Sequence, residues 1–433
     1  MRRRKRSTSP PLTGSVTIPG DKSISHRALI LAALGDGPSR VSGLNTGADV
    51  EATRRCLEQL GAKLRRDDED QSQVMVEGSG WGGLAEPGDV LDAGNSGTTI
   101  RTLAGVTAAV PGVTVLTGDR TLRRRPMLRI VEPLRSMGAR IDGRSEGALA
   151  PLTIRGGGLT AFNHHLKVAS AQVKTALLLA GLAAEGRTEV AEPSASRDHT
   201  ERMLAALGAP VVTDGTRVTV ERVDALPAAD RRVPGDVSSA FFLVVAALLV
   251  DGSDLEVRDV GLNPTRIGAL EILRSMGADI GWEVTGVSGG EPTGTIRARA
   301  SQLVGTRVDP AIVPRAIDEF PIVAIAASQA DGPTHISGAG ELRVKESDRI
   351  ETVATGLRTL GVDVATEEDG LTIEGPAALS RGEVDSRGDH RVALAFAVAG
   401  LVAEGDVRVK GWSAVDTSFP EFLDVLGKAR GRR

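Results

Sequence analysis

The feature that most constrains the fold is a pattern of five residues, Leu-x-x-Leu/Met-Gly, that recurs along the chain. Its six copies are 57–61, 134–138, 204–208, 273–277, 357–361 and 423–427. Their closing glycines lie 66 to 84 residues apart. Two apolar residues three apart, closed by glycine, are typical of the last turn of an amphipathic helix with a left-handed cap. The pattern predicts six outer helices, one in each of six repeats.

A second pattern runs at the same period. Apolar, alanine-rich stretches end shortly before a glycine at Gly37, Gly112, Gly186, Gly252, Gly332 and Gly405. Helices that are apolar on nearly every face are buried, so six inner helices are expected. Alternating segments that follow them, such as 113–116 and 407–410, predict strands. Each repeat is therefore predicted to have the order βαβαββ, which places the chain in the α/β class.

The 433 residues are too many for one ordinary core. Six repeats of ~70 residues suit two domains of three repeats each. The sixth repeat ends without its closing strands, whereas a strand at 14–19 precedes the first repeat. We therefore expect this N-terminal strand to complete the C-terminal domain. The predicted domains are 20–234 and 12–19 plus 235–427, with basic tails at 1–11 and 428–433.

Composition excludes several classes of protein. Hydrophobic residues make up 41% and charged residues 25%, as in a globular protein. No apolar run reaches the ~18 residues of a membrane span, and the basic segment 2–6 lacks the apolar core of a signal peptide. The single cysteine, Cys56, forms no intramolecular disulfide and disfavours a cysteine metal cluster. A net charge of −4 disfavours general binding of nucleic acid. A cytoplasmic monomer without membrane partners is expected.

Every predicted inner helix begins with polar or charged residues: 21–23, 94–99, 170–174, 236–239, 318–319 and 389–391. Ser, Thr, Asp and Asn are common helix caps, and capping explains Thr98, Ser238 and Ser239 as well as ligand binding does. Capping does not explain cations near a helix N-terminus, where they oppose the helix dipole. The cations in question are Lys22, Arg27, Arg101 and Arg391. Helix N-termini favour anions, so we interpret these residues as parts of a polyanion site.

Two more basic clusters lie outside the inner helices. One is 123–125, and the other is 343–349, where Lys345 and Arg349 are predicted to share one face of an outer helix. Two carboxylates, Asp318 and Glu346, belong to the same half of the chain. Carboxylates placed among several cations can serve as general base and general acid.

These residues carry a resemblance to a known family. The segments 19–28, 94–98, 119–126, 170–172, 342–349 and 389–391 resemble those of the 5-enolpyruvylshikimate-3-phosphate synthases. The resemblance runs from about Gly14 to Leu426. It implies two domains, each of three βαβαββ repeats (an inside-out α/β barrel). It also implies transfer of the enolpyruvyl group of phosphoenolpyruvate to the 5-hydroxyl of shikimate 3-phosphate, in the shikimate pathway to aromatic amino acids. Glyphosate inhibits many members, and neither a metal nor an organic cofactor is implied.

The resemblance also implies roles for individual residues. Those expected to hold shikimate 3-phosphate are Lys22, Ser23, Arg27, Ser170, Ala171, Gln172, Arg197, Asp318 and Lys345. Those expected to hold phosphoenolpyruvate are Lys22, Gly97, Arg125, Gln172, Arg349, His390 and Arg391. The expected catalytic residues are Asp318 as general base, Glu346 as general acid and Lys22 as the stabiliser of charge on the leaving phosphate.

At two positions the sequence departs from the family pattern. Many relatives have a lysine just before the final Phe-Pro, where this chain has Thr417-Ser418. Some relatives use an asparagine four residues before the lysine of the 342–349 segment, where this chain has Glu341. Neither substrate contact carries over to this chain.

Two other functions are consistent with parts of the sequence. A related transferase acts on UDP-N-acetylglucosamine, but that family typically has Asn after the early lysine and a reactive cysteine before its Arg-Pro. Here Ser23 follows Lys22, and the segment 118–125 has no cysteine. Cys56 lies in an outer-helix segment, where an inert, partly buried thiol is expected. A non-catalytic repeat scaffold would present repeated surfaces, whereas these helix starts differ from one another, as one asymmetric site requires.

Overall fold

The computed structural model describes residues 9–431, so the expected tail residues 1–8, 432 and 433 lie outside the described part of the chain. Its strands, numbered β1 to β21 in chain order, are Thr13–Val16, Pro38–Ser42, Lys63–Arg66, Val74–Glu77, Leu91–Asp92, Gly112–Thr117, Arg140–Arg144, Leu149–Gly156, Asn163–His165, Arg187–Ala191, Val211–Asp214, Arg217–Glu221, Arg231–Arg232, Asp254–Gly261, Asp279–Ser288, Glu291–Arg299, Thr334–Ile336, Val364–Thr366, Leu371–Ile373, Gly382–Asp385 and Val407–Lys410.

The α-helices of the same region, α1 to α13, are Lys22–Ala33, Ala48–Gln59, Gly97–Ala109, Leu128–Ser136, Ala171–Gly181, His199–Ala206, Val237–Leu249, Gly268–Ser275, Val313–Ala316, Phe320–Ser328, Arg349–Thr359, His390–Ala399 and Phe422–Ala429. Short 3-10 helices span Trp81–Gly83, Leu122–Arg124, Gly340–Val344 and Trp412–Thr417. None of the helices within residues 9–431 has the length and hydrophobicity needed to cross a membrane.

The chain divides into two units, each with its own hydrophobic core. The N-terminal unit is Gly20–Val233 together with Val287–Glu291, the turn between β15 and β16. The C-terminal unit is the remainder: the chain up to Pro19, Pro234–Gly286 and the chain from Pro292 onward. The sequence patterns did not predict that residues 287–291 belong to the N-terminal unit.

The N-terminal unit contains three four-stranded sheets, one for each of its repeats. Their strand orders are β13-β2-β4-β3, β5-β6-β8-β7 and β9-β10-β12-β11. In each sheet the first pair is parallel and the other two pairs are antiparallel, which is the arrangement a βαβαββ repeat gives. The first repeat takes its parallel strand from the end of the unit, because β13 pairs with β2 through Arg231 and Val41.

The C-terminal unit has the sheets β1-β14-β16-β15, β17-β19-β18 and β20-β21. The first has four strands like those of the N-terminal unit, the second has three antiparallel strands, and the third is a parallel pair. The strand β1 pairs in parallel with β14, Thr13 lying opposite Asp254 and Val16 opposite Val257. The last sheet has two strands because the sixth repeat ends after its outer helix, α13. The N-terminal strand is therefore the parallel partner of the fourth repeat.

The six inner helices are α1, α3 and α5 in the N-terminal unit and α7, α10 and α12 in the C-terminal unit. All thirteen residues of α7 are buried, as its apolar sequence requires. Helices α3 and α5 pack so closely that a methyl group on Gly105 would lie 2.1 Å from the carbonyl oxygen of Ala176. Glycine is needed there because any side chain would separate the helices.

Five of the six predicted glycine caps have the left-handed backbone, with φ from +69° to +104° at Gly61, Gly138, Gly208, Gly277 and Gly361. The prediction is wrong for Gly427, which lies inside α13. That helix continues through Lys428 and Ala429, residues that the sequence had assigned to a tail, and the positive φ falls on Gly431. The leucine spacing locates the buried face of an outer helix but not the last residue of that helix.

Candidate active site

Lys22 is the first residue of α1 in the N-terminal unit. Asp21 caps this helix, because its side chain accepts a hydrogen bond of 2.9 Å from the backbone nitrogen of Ile24. The Lys22 ammonium lies 2.9 Å from a carboxylate oxygen of Asp49, and both side chains are 13% exposed. The ion pair directs the lysine across the helix N-terminus, where the helix dipole and its own charge both favour an anion.

Arg27 is buried one turn further along α1. Its guanidinium donates to the carbonyl of Ser23 at 2.8 Å, to the hydroxyl of Thr200 at 2.9 Å and to the hydroxyl of Thr175 at 2.8 Å. The pKa of Arg27 is lowered to about 10, mainly by burial, and the nearby carboxylates of Glu201 and Asp21 oppose part of this effect.

A second cationic cluster surrounds the start of α3. Arg125 donates to the side-chain oxygen of Asn95 at 2.8 Å, and Arg101 donates to that of Gln172 at 2.5 Å. A methyl group on Gly97 would lie 2.9 Å from Nη1 of Arg125 and 3.3 Å from Nη1 of Arg101. The glycine thus leaves room for two guanidinium groups beside the first turn of α3. This crowding is a local reason for glycine that the sequence alone did not reveal.

Ser170 precedes α5, Ala171 is its first residue and Gln172 its second. The Ser170 side chain makes no capping bond to the helix. The amide nitrogen of Gln172 donates to the hydroxyl of Thr98 at 3.0 Å, which joins the start of α5 to the start of α3. Thr98 was equally well explained as a cap, but the capping residue of α3 is Ser96. Most of the predicted residues of this unit therefore lie at the starts of its inner helices, whereas Arg125 follows a 3-10 helix and Arg197 precedes the outer helix α6.

In the C-terminal unit, Asp318 lies where three predicted cations meet. Its Oδ1 is 2.9 Å from Nη1 of Arg349 and 3.5 Å from Nζ of Lys345, and its Oδ2 is 3.8 Å from Nη2 of Arg391. Its side chain is 12% exposed, so the carboxylate is largely shielded from water. The fold brings together residues from three separate parts of the sequence around this one carboxylate.

Arg349 is 1% exposed and contacts two further carboxylates. Its Nη2 lies 2.5 Å from Glu346, and its Nε lies 2.8 Å from Asp389, which also caps α12. Burial alone would lower the pKa of Arg349, but the charges of Asp389, Glu346 and Asp318 outweigh burial and raise it. The guanidinium of Arg349 therefore stays charged, and its ion pairs hold the carboxylates of Asp318 and Glu346 beside it.

The predicted helical relation between Lys345 and Arg349 is wrong. Lys345 follows a 3-10 helix, Gly340–Val344, and α11 begins only at Arg349, with Asp348 as its cap. The Asp348 side chain accepts from the backbone nitrogen of Glu351 at 3.1 Å, and this bond starts the helix. Both cations nevertheless contact Asp318, so it is the tertiary structure and not the helical spacing that brings them together.

His390 and Arg391 form the first turn of α12, and both are buried. Arg391 donates to the backbone carbonyl of Asp318 at 3.3 Å and lies 3.6 Å from the carboxylate of Glu319. Glu319 in turn accepts a hydrogen bond from Ser238, a residue that the sequence explained equally well as a cap. The residue that caps α7 is Asp236 and not Ser238. The hydroxyl of Ser238 instead accepts a hydrogen bond of 2.7 Å from Arg266, so it belongs to a buried polar network.

The structure also locates the two departures from the family pattern. Thr417 ends the 3-10 helix Trp412–Thr417, and its hydroxyl donates to the carbonyl of Ala414 at 2.7 Å. Glu341 lies in the 3-10 helix before Lys345.

Within residues 9–431, no group of three or more His, Cys, Asp and Glu side chains is arranged to hold a metal ion.

Cys56 is fully buried in α2, and burial raises the pKa of its thiol to about 12. Its sulfur lies 3.6 Å from the carbonyl oxygen of Asp92. A thiol with so high a pKa carries almost no thiolate at neutral pH, so it is a poor nucleophile. The inert role expected for Cys56 agrees with this environment.

The fold and these clusters define the class of the protein. The chain has the fold of the enolpyruvyl transferase NikO from Streptomyces tendae, with a TM-score of 0.77 at 17% identity over 98% of this chain and 96% of that one. It is also similar to the EPSP synthase of Acinetobacter baumannii, with a TM-score of 0.87 at 42% identity over 98% and 97% of the two chains. The fold is therefore that of an enolpyruvyl transferase.

Sequence comparison identifies the family within that class. The family model "EPSP synthase (3-phosphoshikimate 1-carboxyvinyltransferase)" matches residues 7–426. The chain is 52% identical to the 3-phosphoshikimate 1-carboxyvinyltransferase of Halorhodospira halophila, over 96% of this chain and 93% of that one. It is 49% identical to that of Desulforudis audaxviator over 97% of each chain. The chain belongs to the EPSP synthase family.

Proposed function

We propose that this chain transfers the enolpyruvyl group of phosphoenolpyruvate to the 5-hydroxyl of shikimate 3-phosphate and releases phosphate. Family membership supports the reaction. The observation that supports the assignment of its chemistry is that Arg349 holds two carboxylates, Asp318 at 2.9 Å and Glu346 at 2.5 Å. Arg349 fixes the positions of both carboxylates, and positioned Asp and Glu side chains can serve as general acids and bases.

The first step is an addition. The 5-hydroxyl oxygen attacks the substituted vinyl carbon of phosphoenolpyruvate, and Asp318 accepts the hydroxyl proton. Glu346 delivers a proton to the methylene carbon, which becomes a methyl group. The step forms one C–O bond and one C–H bond and leaves the phosphate attached to the same carbon as the new ether oxygen.

The second step is an elimination. The bond between carbon and phosphate oxygen breaks, the methyl group returns a proton to the Glu346 carboxylate, and the enol ether double bond is restored. The proton that Asp318 accepted leaves with the phosphate. Lys22 stabilises the charge that develops on the leaving phosphate, as a cation at a helix N-terminus is suited to do. The ion pair of Lys22 with Asp49 holds the ammonium at that helix end in the free protein.

The two substrates are assigned to the residues as follows. Shikimate 3-phosphate is held by Lys22, Ser23, Arg27, Ser170, Ala171, Gln172, Arg197, Asp318 and Lys345. Phosphoenolpyruvate is held by Lys22, Gly97, Arg125, Gln172, Arg349, His390 and Arg391. Both substrates carry a phosphate and a carboxylate, and the planar guanidinium groups match these anions through paired hydrogen bonds. We further propose that the protein acts as a cytoplasmic monomer, which sedimentation velocity would test.

Release of phosphate from phosphoenolpyruvate with shikimate 3-phosphate as acceptor tests the reaction, with UDP-N-acetylglucosamine as the contrasting acceptor. Turnover with the first acceptor alone is expected, and turnover with the second alone would overturn the assignment.

Glu346→Gln tests the role of Glu346 as general acid, since this substitution should lower kcat at least 100-fold. The matched control is Glu351→Gln, which removes a more exposed carboxylate from α11 and should leave kcat unchanged.

A further inference from the structure

A buried carboxylate, Glu192, connects two segments of the N-terminal unit that carry proposed substrate contacts. It follows β10, and its side chain is 1% exposed. Its Oε1 accepts a hydrogen bond of 2.9 Å from the backbone nitrogen of Ser170. Its Oε2 accepts one of 2.8 Å from the hydroxyl of Ser196. The backbone nitrogen of Ser196 also donates to Oε2, at 3.4 Å. Because Ser170 immediately precedes α5 and Ser196 precedes Arg197, one side chain holds the backbone of both segments.

The charge of Glu192 is balanced from within the core. The ammonium of Lys174, on α5, lies 2.7 Å from Glu192 and 2.7 Å from Glu201, a residue of α6. Burial alone would lower the pKa of Lys174, but the two carboxylates outweigh burial and raise it. Three charged groups buried in this way are costly, and apolar side chains would often stabilise a core as well or better. Stability alone therefore gives no reason for this cluster.

The same two helices also hold Arg27. Thr175 follows Lys174 on α5 and accepts from Nη2 of Arg27 at 2.8 Å, whereas Thr200 precedes Glu201 on α6 and accepts from Nε at 2.9 Å. The two threonine hydroxyls lie 2.7 Å apart. Residues at the starts of α5 and α6 thus hold Arg27 through the hydroxyl groups of Thr175 and Thr200. Lys174, next to Thr175, holds Glu192, which in turn holds the segments at Ser170 and Ser196.

We propose that Glu192, balanced by Lys174, is a positioning residue that places Ser170 and Arg197 for the anionic group of shikimate 3-phosphate. The proposal rests on the proposed function, because it assumes that this ligand is the substrate. Glu192 itself does not touch the ligand. It acts by setting the backbone at two contacts, and small displacements of substrate-positioning groups are costly to catalysis.

The test is Glu192→Gln, assayed by steady-state kinetics with each substrate varied in turn. In glutamine one of the two carboxylate oxygens becomes an amide nitrogen, which cannot accept, so the variant loses the acceptor that faces either the Ser170 nitrogen or Ser196 and Lys174. The variant keeps the ion pair between Lys174 and Glu201, so the core retains a balanced charge. KM for shikimate 3-phosphate is expected to rise about tenfold, whereas kcat and KM for phosphoenolpyruvate stay within about twofold of the parent values.

Two matched variants distinguish the loss of the hydrogen bonds of Glu192 from the loss of its charge. Glu201→Gln removes the same charge from the same cluster but keeps the bonds of Glu192 to Ser170 and Ser196. Glu189→Gln removes a carboxylate from β10, the strand that precedes Glu192, where it pairs with the exposed Arg217. Both should raise KM for shikimate 3-phosphate less than threefold. An equal rise in Glu192→Gln and Glu201→Gln would overturn the proposal, since it would show an effect of charge alone.

Ser196→Ala provides a second test in case Glu192→Gln does not fold. It removes one bond to Glu192 and leaves the pair with Lys174 intact. A rise of about threefold in KM for shikimate 3-phosphate, without a change in KM for phosphoenolpyruvate, is expected. Unchanged KM values in the folded variants, with an active parent, would overturn the positioning role alone. An inactive parent would instead overturn the proposed function.

Discussion

Arg349 donates a hydrogen bond of 2.9 Å to Asp318, although 31 residues separate them in the sequence. The same guanidinium contacts Glu346 and Asp389, so one fully buried cation balances three carboxylates. This relationship gives Arg349 a structural role as well as a proposed role in binding phosphoenolpyruvate. The two roles have separate experimental consequences.

Arg349→Ala should lower both activity and stability. Removing the guanidinium leaves Asp389, at 0% exposure, without its charged partner, and breaking a buried pair in this way costs about 3–5 kcal/mol. Thermal unfolding followed by circular dichroism measures the change. Arg358→Ala on the same helix is the control, because Arg358 is about 42% exposed and should cost less than about 1 kcal/mol. Equal unfolding midpoints for the two variants would show that the three carboxylates do not depend on Arg349.

Lys22→Met should abolish most of the turnover and leave the fold intact. The ion pair of Lys22 with Asp49 is partly exposed, and such pairs contribute about 0–1 kcal/mol. Loss of a cation from a developing charge lowers kcat by roughly 100- to 1000-fold. Phosphate release and the unfolding midpoint are measured together, with Lys63→Met, an exposed lysine 3.9 Å from Glu77, as control. A near-normal kcat would show that Lys22 does not stabilise the leaving group.

Gly97→Ala should raise KM for phosphoenolpyruvate and weaken inhibition by glyphosate, to which the parent is expected to be sensitive. The new methyl group would lie 2.9 Å from Nη1 of Arg125, so the guanidinium has to move. Because the end of this side chain is flexible, stability should change by less than about 1 kcal/mol. Gly88→Ala is the control, since its methyl group would meet nothing within 4 Å. Unaltered inhibition curves in Gly97→Ala would contradict the placement of the anion beside α3.

Stability should fall as the pH drops below about 6.5, the ordinary pKa of histidine, and His164 should contribute to this fall. Burial, with a smaller effect from the charge of His165, lowers the pKa of His164 to about 4 in the folded chain. Between these two values the unfolded chain binds a proton that the folded chain does not, so the stability present above pH 6.5 is lost on acidification.

The measurement compares unfolding midpoints at pH 7.5 and pH 5. The fall should be smaller in His164→Gln than in the parent by about 2 kcal/mol, or roughly 4–8 °C. His165→Gln is the matched control, because His165 is the exposed neighbour on the same strand and should behave like the parent. A pH dependence in His164→Gln equal to that of the parent would rule out this source of acid sensitivity.

The sequence by itself determined the repeat, the inner and outer helices and the side chains at the start of each inner helix. These features follow from local periodicity. Leucines three residues apart place one apolar face on an outer helix, and apolar residues on all faces require an inner helix to be buried. Even the pairing of the N-terminal strand with the C-terminal unit followed, since the last repeat lacked strands and the first residues supplied one.

Only the tertiary structure decided which charged groups meet. Lys345 and Arg349 were predicted to share a helix, but Asp348 starts α11 at Arg349, and the two cations come together through Asp318. Glu192 gave no signal as an anchor, because its partners Ser170 and Lys174 lie about 20 residues earlier, on α5 and its cap. Local spacing fixes which face of a helix a residue occupies. The partner of a buried charge depends on which helix starts lie side by side, and that is set by the packing of the core.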